Sequence, residues 1–154
     1  VRRLGVRYVA LHAGLYAGTG RAWFAWRELA RHGFGELARA GVVTTFARGR
    51  PGGEPRVREP QRALVFCQGW EHGAPLHRQT AFWARGPRLQ LRATTREPDR
   101  ITFSVGGRAA RSVRLTGPNR LTVPLGGGGW HLVRVNITRT DRGLRLQSVR
   151  SVQS

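Results

Sequence analysis

Three tryptophans in this chain stand beside polar groups of the kind that read sugars. Trp70 precedes Glu71, Trp83 lies two residues before Arg85, and Trp130 precedes His131. A flat indole face accepts the C–H surface of a sugar ring, and a planar hydrogen-bonding group next to it can engage the hydroxyls. Trp70 and Trp130 each follow a glycine, Gly69 and Gly129, which places them at strand ends, whereas Trp83 falls within a strand. The opposing reading is that all three indoles pack into a core with their N–H groups bonded to backbone. The sequence leaves both open.

Other chemistries find less support. Glycoside hydrolysis needs two carboxylates held roughly 5–10 Å apart. Glu71, Glu97, Asp99 and Asp141 are available, but Asp99 and Asp141 fall in turn sequences, where such side chains accept backbone N–H bonds. His72 and His77 share a loop with Glu71 without a third ligand at fixed spacing, so no metal site is predicted. The Gly18–Thr19–Gly20 run lacks the spacing and the Lys-Ser/Thr pair of a phosphate-cradling loop. There is no G-x-S-x-G elbow. Cys67 is the single cysteine and lies in an apolar run, which reads as an inert thiol. No catalytic residue and no cofactor are predicted for this chain.

The formal net charge is +19, and all 27 basic residues are arginine against eight acids. Such a field attracts phosphate-bearing polymers or an anionic surface. The arginines are scattered, however, and no zinc spacing, aromatic RNA-binding strand or basic heptad helix accompanies them. Arg88, Arg92 and Arg96 are evenly spaced and would share one strand face if the strand runs that far. They are the candidate polyanion site of the alternative reading.

These residues must be positioned by elements that the pattern of apolar residues and turns makes visible. Val6–His12 reads as a strand, Arg21–His32 as a helix with Thr19 as cap and Gly33 beyond its end, and Phe34–Ala40 and Val42–Arg48 as two further strands. Trp23, Trp26, Leu29 and Ala30 form one apolar stripe on the helix, with Phe24 partly off it. Glycine and proline over 51–60 mark a linker. The apolar run Ala63–Cys67 then opens a series of short strands: Thr80–Arg85, Leu89–Thr95, Arg100–Val105, Ala109–Leu115, Arg120–Leu125, Trp130–Thr138 and Leu144–Ser151. The predicted class is mainly β. A small β-α-β-β unit over residues 1–50 and a linker over 51–60 precede a β-sandwich or jelly roll over 61–154.

Two passages resemble a known family. Gly5, Val6, Arg7, Tyr8, Val9 and His12, followed by a tryptophan-bearing helix and then Gly41, Val42, Val43, Thr44 and Phe46, are similar to a small unit of bacterial GT-C type membrane glycosyltransferases. That β-α-β-β unit follows the last membrane helix. The second passage runs from Val65 through Gly69, Trp70 and Glu71, then Phe82, Trp83 and Ala84, to Gly129, Trp130, His131 and Leu132. It resembles the carbohydrate-binding-like sandwich at the C-termini of several such enzymes.

The resemblance implies the C-terminal extracytoplasmic part of an enzyme that uses a lipid-linked sugar donor. No stretch here matches the early loop that carries that family's catalytic acid, so the resemblance implies binding or scaffolding. The implied partners are a glycan or cell-wall polysaccharide and an upstream transmembrane region, with nucleic acid disfavoured. The implied location is the outer face of the bacterial cytoplasmic membrane, in the periplasm or cell wall. A start at Val1 and the lack of any methionine fit a piece of a longer protein. The alternative is a stand-alone arginine-rich module for nucleic acid or another polyanion.

Overall fold

A computed structural model of the chain describes residues 5–16, 19–67, 79–138 and 143–152. The chain divides into two compact units, Val1–Gln61 and Arg62–Ser154.

In the first unit β1 (Tyr8–His12) leads through a single 3-10 turn (Ala13–Tyr16) to α1 (Arg21–Arg31), β2 (Phe34–Ala40) and β3 (Val43–Arg48). The three strands form an antiparallel sheet with β3 in the centre, in the order β1-β3-β2. Val9 lies opposite Phe46 and Leu11 opposite Thr44, so these four residues share one face of the sheet. That side of the sheet shares a core with α1: Leu11, Trp26, Phe34 and Phe46 are buried together, and Trp26 meets Phe46 edge to face at 4.9 Å.

The helix differs from expectation at two points. Its N-cap is Gly20, at φ 72, without a side-chain cap. Thr19 sits one residue earlier, where its hydroxyl accepts the Arg21 N–H at 3.3 Å and donates to the Tyr16 carbonyl at 2.7 Å. Phe24 is buried along with Trp23 and Trp26, so the covered face is broader than the stripe predicts. Gly33, at φ 78, takes the left-handed position after the helix, as expected. Residues 51–60 form neither helix nor strand, and Val57 packs against this unit's core.

The second unit contains β4 (Leu64–Phe66), β5 (Gln79–Arg85), β6 (Arg88–Thr94), β7 (Asp99–Val105), β8 (Arg108–Leu115), β9 (Asn119–Pro124), β10 (Trp130–Ile137) and β11 (Arg145–Val152). Five strands make one sheet in the order β4-β5-β10-β7-β8, and three make another in the order β11-β6-β9. All described pairings are antiparallel. The two sheets share one core. Phe82, Ala84, Ile101, Phe103, Val133 and Val135 from the larger sheet are buried with Leu89, Leu91, Leu121, Val123 and Leu146 from the smaller. Strict alternation produces this: in β6 every second residue is buried and the residues between are exposed or partly so. The mainly β fold with a sandwich is thus present as the sequence indicates.

The open edge of the sandwich is bridged by a side chain. Arg111 on edge strand β8 donates from Nη1 to the carbonyl of Thr122 on β9, the edge of the other sheet. That charge-assisted bond satisfies one of the edge acceptors that an unpaired strand leaves bare.

Candidate functional site

Pairing across β5 and β10 determines which of the candidate residues meet. Leu132 lies opposite Trp83, and Trp130 opposite Arg85. Residues directly opposite in an antiparallel pair project from the same face. Phe82 and Ala84 on β5, and Val133 and Val135 on β10, are fully buried between the sheets. Trp83, Arg85, Trp130, Leu132 and Arg134 therefore project from the other side, the outer face of the five-stranded sheet. Trp83 and Trp130 are partly buried there, and Arg85 and Arg134 are exposed. Edge strand β4 adds Val65 opposite Trp83. An apolar row, Val65–Trp83–Leu132, thus runs across three strands, buried at its Val65 end and partly open at Trp83 and Leu132, and a second row sets Trp130 beside Arg85.

This arrangement puts two aromatic side chains and two arginines on one face. Two indoles on neighbouring strands stand on diagonal positions, separated by about 7–8 Å between backbones. The exposed Arg85 and Arg134 lie on the same face, and a guanidinium is a hydrogen-bond donor for oxygen acceptors. The platform is carried on paired strands, which hold its geometry in the absence of ligand.

His131 does not join this face. It is the cross-strand partner of Ala84, which is buried inward, so the histidine follows the core parity of Val133 and Val135. Its Nε2 lies 3.2 Å from the carbonyl oxygen of Gly127 in the preceding glycine turn. Adjacency in sequence places Trp130 and His131 on opposite faces of a strand. Trp70, Glu71, His72 and His77 lie outside the described residues, as does Asp141.

Of the carboxylates, Glu97 is exposed and Asp99 is 4% exposed. Asp99 opens β7, a strand start where the sequence suggested a turn, and its Oδ1 accepts the Arg100 N–H at 2.7 Å. That use is structural. Cys67 is partly buried, and among the described residues no group of three His, Cys, Asp or Glu side chains could hold a metal ion.

Leu132 and Arg134 are part of the platform that sequence reasoning missed. The period-two alternation of β10 carried the signal, but only with the register against β5 does it become a site. In the first unit Trp23 lines an open groove of about 500 Å³ with Arg27, Ala30 and residues Gly52–Pro55. There the Arg27 guanidinium stands 4.6 Å from the Trp23 ring centroid, so one face of the indole is already occupied.

Comparison with known proteins gives a likeness of shape. No family model matches the sequence, and no curated protein matches it. A family two carbohydrate esterase from Clostridium thermocellum, an active-site mutant in complex with a cello-oligosaccharide, is similar over 60% of this chain and 32% of its own, with 10% identity and a TM-score of 0.44. A glycoside hydrolase family 43 arabinoxylan arabinofuranohydrolase from Bacillus subtilis, in complex with cellotetraose, is similar over 77% of this chain and 33% of its own, with 9% identity and a TM-score of 0.42. A carbohydrate-binding module, CBM36, in complex with calcium and xylotriose is similar over 47% of this chain and 71% of its own, with 12% identity and a TM-score of 0.34. The matched part of the esterase and the arabinofuranohydrolase is about a third of their length.

Proposed function

We propose that the second unit is a non-catalytic carbohydrate-binding module whose ligand lies on the outer face of the five-stranded sheet. The observation that carries this is the convergence of Trp83 and Trp130 on one face of adjacent strands, with Arg85 opposite Trp130 and Leu132 opposite Trp83. Core packing does not require that placement, because the core positions of both strands are filled by Phe82, Ala84, Val133 and Val135. Trp83 and Trp130 stack on sugar rings, Arg85 and Arg134 donate to hydroxyls, and the ligand is a glycan or cell-wall polysaccharide.

The proposal extends to the whole protein. The chain is the C-terminal extracytoplasmic part of a membrane glycosyltransferase that uses a lipid-linked sugar donor, held at the outer face of the bacterial cytoplasmic membrane by an upstream membrane region. The sequence resemblance over Gly5–His12 and Gly41–Phe46 supports this reading, as does the β-α-β-β order of the first unit. No described helix is long and apolar enough to cross a membrane.

Calorimetric titration of the full chain with neutral oligosaccharides, cellohexaose and xylotriose among them, tests the binding site. Trp83→Ala and Trp130→Ala are each expected to weaken binding about tenfold, which corresponds to roughly 1.4 kcal/mol. Trp70→Ala serves as a third arm. If it alone abolished binding while the other two substitutions left it unchanged, the platform on β5 and β10 would not be the site.

A further inference from the structure

The opposite side of the sandwich carries a second surface of different chemistry. On β6 the residues Leu89, Leu91 and Ala93 are buried, so Arg88, Gln90, Arg92 and Thr94 face outward. Register places Arg120 of β9 opposite Arg92, Thr122 opposite Gln90, and Arg150 of β11 opposite Gln90 on the other flank. Ser148 is opposite Arg92 and Arg145 opposite Thr94. Arg88, Arg92, Arg120 and Arg150 are all exposed. None of the three strands contains an acidic residue.

Local energetics disfavour this arrangement. Like charges directly opposite one another across an antiparallel pair are destabilising, and Arg92 and Arg120 occupy such a pair. Arg88 and Arg92 are roughly 13 Å apart along the strand, with neutral hydrogen-bonding Gln90 between them. Thr94, Thr122 and Ser148 continue the interleaving of guanidinium with hydroxyl across the face.

We propose that this outer face of β11-β6-β9 binds a linear anionic polysaccharide. Acid groups of such a polymer pair with the arginines, which match carboxylates through two parallel N–H donors. Its hydroxyls meet Gln90, Thr94, Thr122 and Ser148. The three strands contain no aromatic residue on which a nucleic-acid base could stack. A sheet of three strands backed by a second sheet is also wider than the two-stranded ribbon that a DNA major groove admits. The apolar residues on the face are Pro124 and Val152, so it lacks the aromatic and leucine-rich side that anchors a protein in a lipid interface. The proposal concerns a different face from the indole platform and stands or falls separately from it.

The test titrates the full chain with polygalacturonate at low and at physiological salt. Arg92→Gln/Arg120→Gln removes the facing pair from the three-stranded sheet. Arg100→Gln/Arg114→Gln removes an equivalent exposed facing pair, on β7 and β8 of the other sheet, and so matches the loss of charge. The first double variant is expected to weaken binding at least tenfold without lowering the melting temperature, and the second by less than about threefold. Equal losses from the two would reduce the effect to net charge and overturn the proposal. Duplex DNA or anionic vesicles bound more tightly than polygalacturonate, with the same dependence on Arg92 and Arg120, would overturn it as well. Neutral-glycan binding, measured in parallel, should be unchanged in the Arg92/Arg120 variant.

Discussion

Phe103→Ala is expected to destabilise the second unit by about 3–5 kcal/mol. Phe103 is fully buried on β7, where its cross-strand partner Val135 on β10 is fully buried as well. Truncating the ring removes its transfer free energy and leaves a cavity between two sheets that their ladders hold apart, so neighbouring residues can fill it only in part. For a unit of this size each kcal/mol moves the melting temperature by roughly 4–8 °C, so the loss should exceed about 12 °C. Thermal denaturation followed by near-ultraviolet circular dichroism measures it. Phe103→Leu keeps most of the volume and should cost much less. A shift of only a few degrees in Phe103→Ala would mean that the two sheets do not close on this residue, and the sandwich assignment would fail.

The sandwich was largely legible in the sequence because its signals are local. Leu89, Leu91 and Ala93 alternate with polar residues, and all three are buried. Turns such as Gly106–Gly107 fall between strands where the glycines take positive φ, at 58 and 87. The helix, too, ends where Gly33 indicates, although its N-cap is Gly20 and not Thr19.

The candidate sites were legible only in part, because a site on a sheet depends on register. Arg88 and Arg92 could be grouped from one strand's parity. Arg120 and Arg150 join them only through the order β11-β6-β9, which brings together segments distant in sequence. Arg96 leaves the group because β6 ends at Thr94, and the Arg96 stem instead lies near Gly143. Trp83 and Trp130 share a face because β10 pairs with β5 rather than with a sequence neighbour. His131 separates from Trp130 for the simplest reason, the alternation of a strand, which the sequence already contained.

Gly35→Ala is expected to disrupt the first unit. Gly35 pairs with Ala47 across β2 and β3, and the chain that leaves β3 folds back over it. A Cβ at Gly35 would collide with the Pro51 carbonyl oxygen and lie 2.8 Å from the Arg50 Cβ. Most of what it meets is backbone, so rotamer changes cannot relieve the clash and residues 50–51 must be displaced from the sheet. Overpacking of this kind costs about 1–3 kcal/mol and occasionally more. The displacement would also pull on Gly52, where a Cβ would already lie 2.8 Å from that of Ala30 on α1. In a unit of about 60 residues, whose net stability is small, a loss of that size leaves the core of Trp26 and Phe46 partly open. Amide hydrogen exchange across β2 and β3 reads this directly, with protection expected to fall at least tenfold. Gly53→Ala is the control, because a Cβ there meets nothing within 4 Å and its backbone is not left-handed. Equal protection in the two variants would show that the 50–51 segment does not cross the sheet at Gly35. Arg50 and Pro51 would then act as a tether alone, and not as a cover over Gly35.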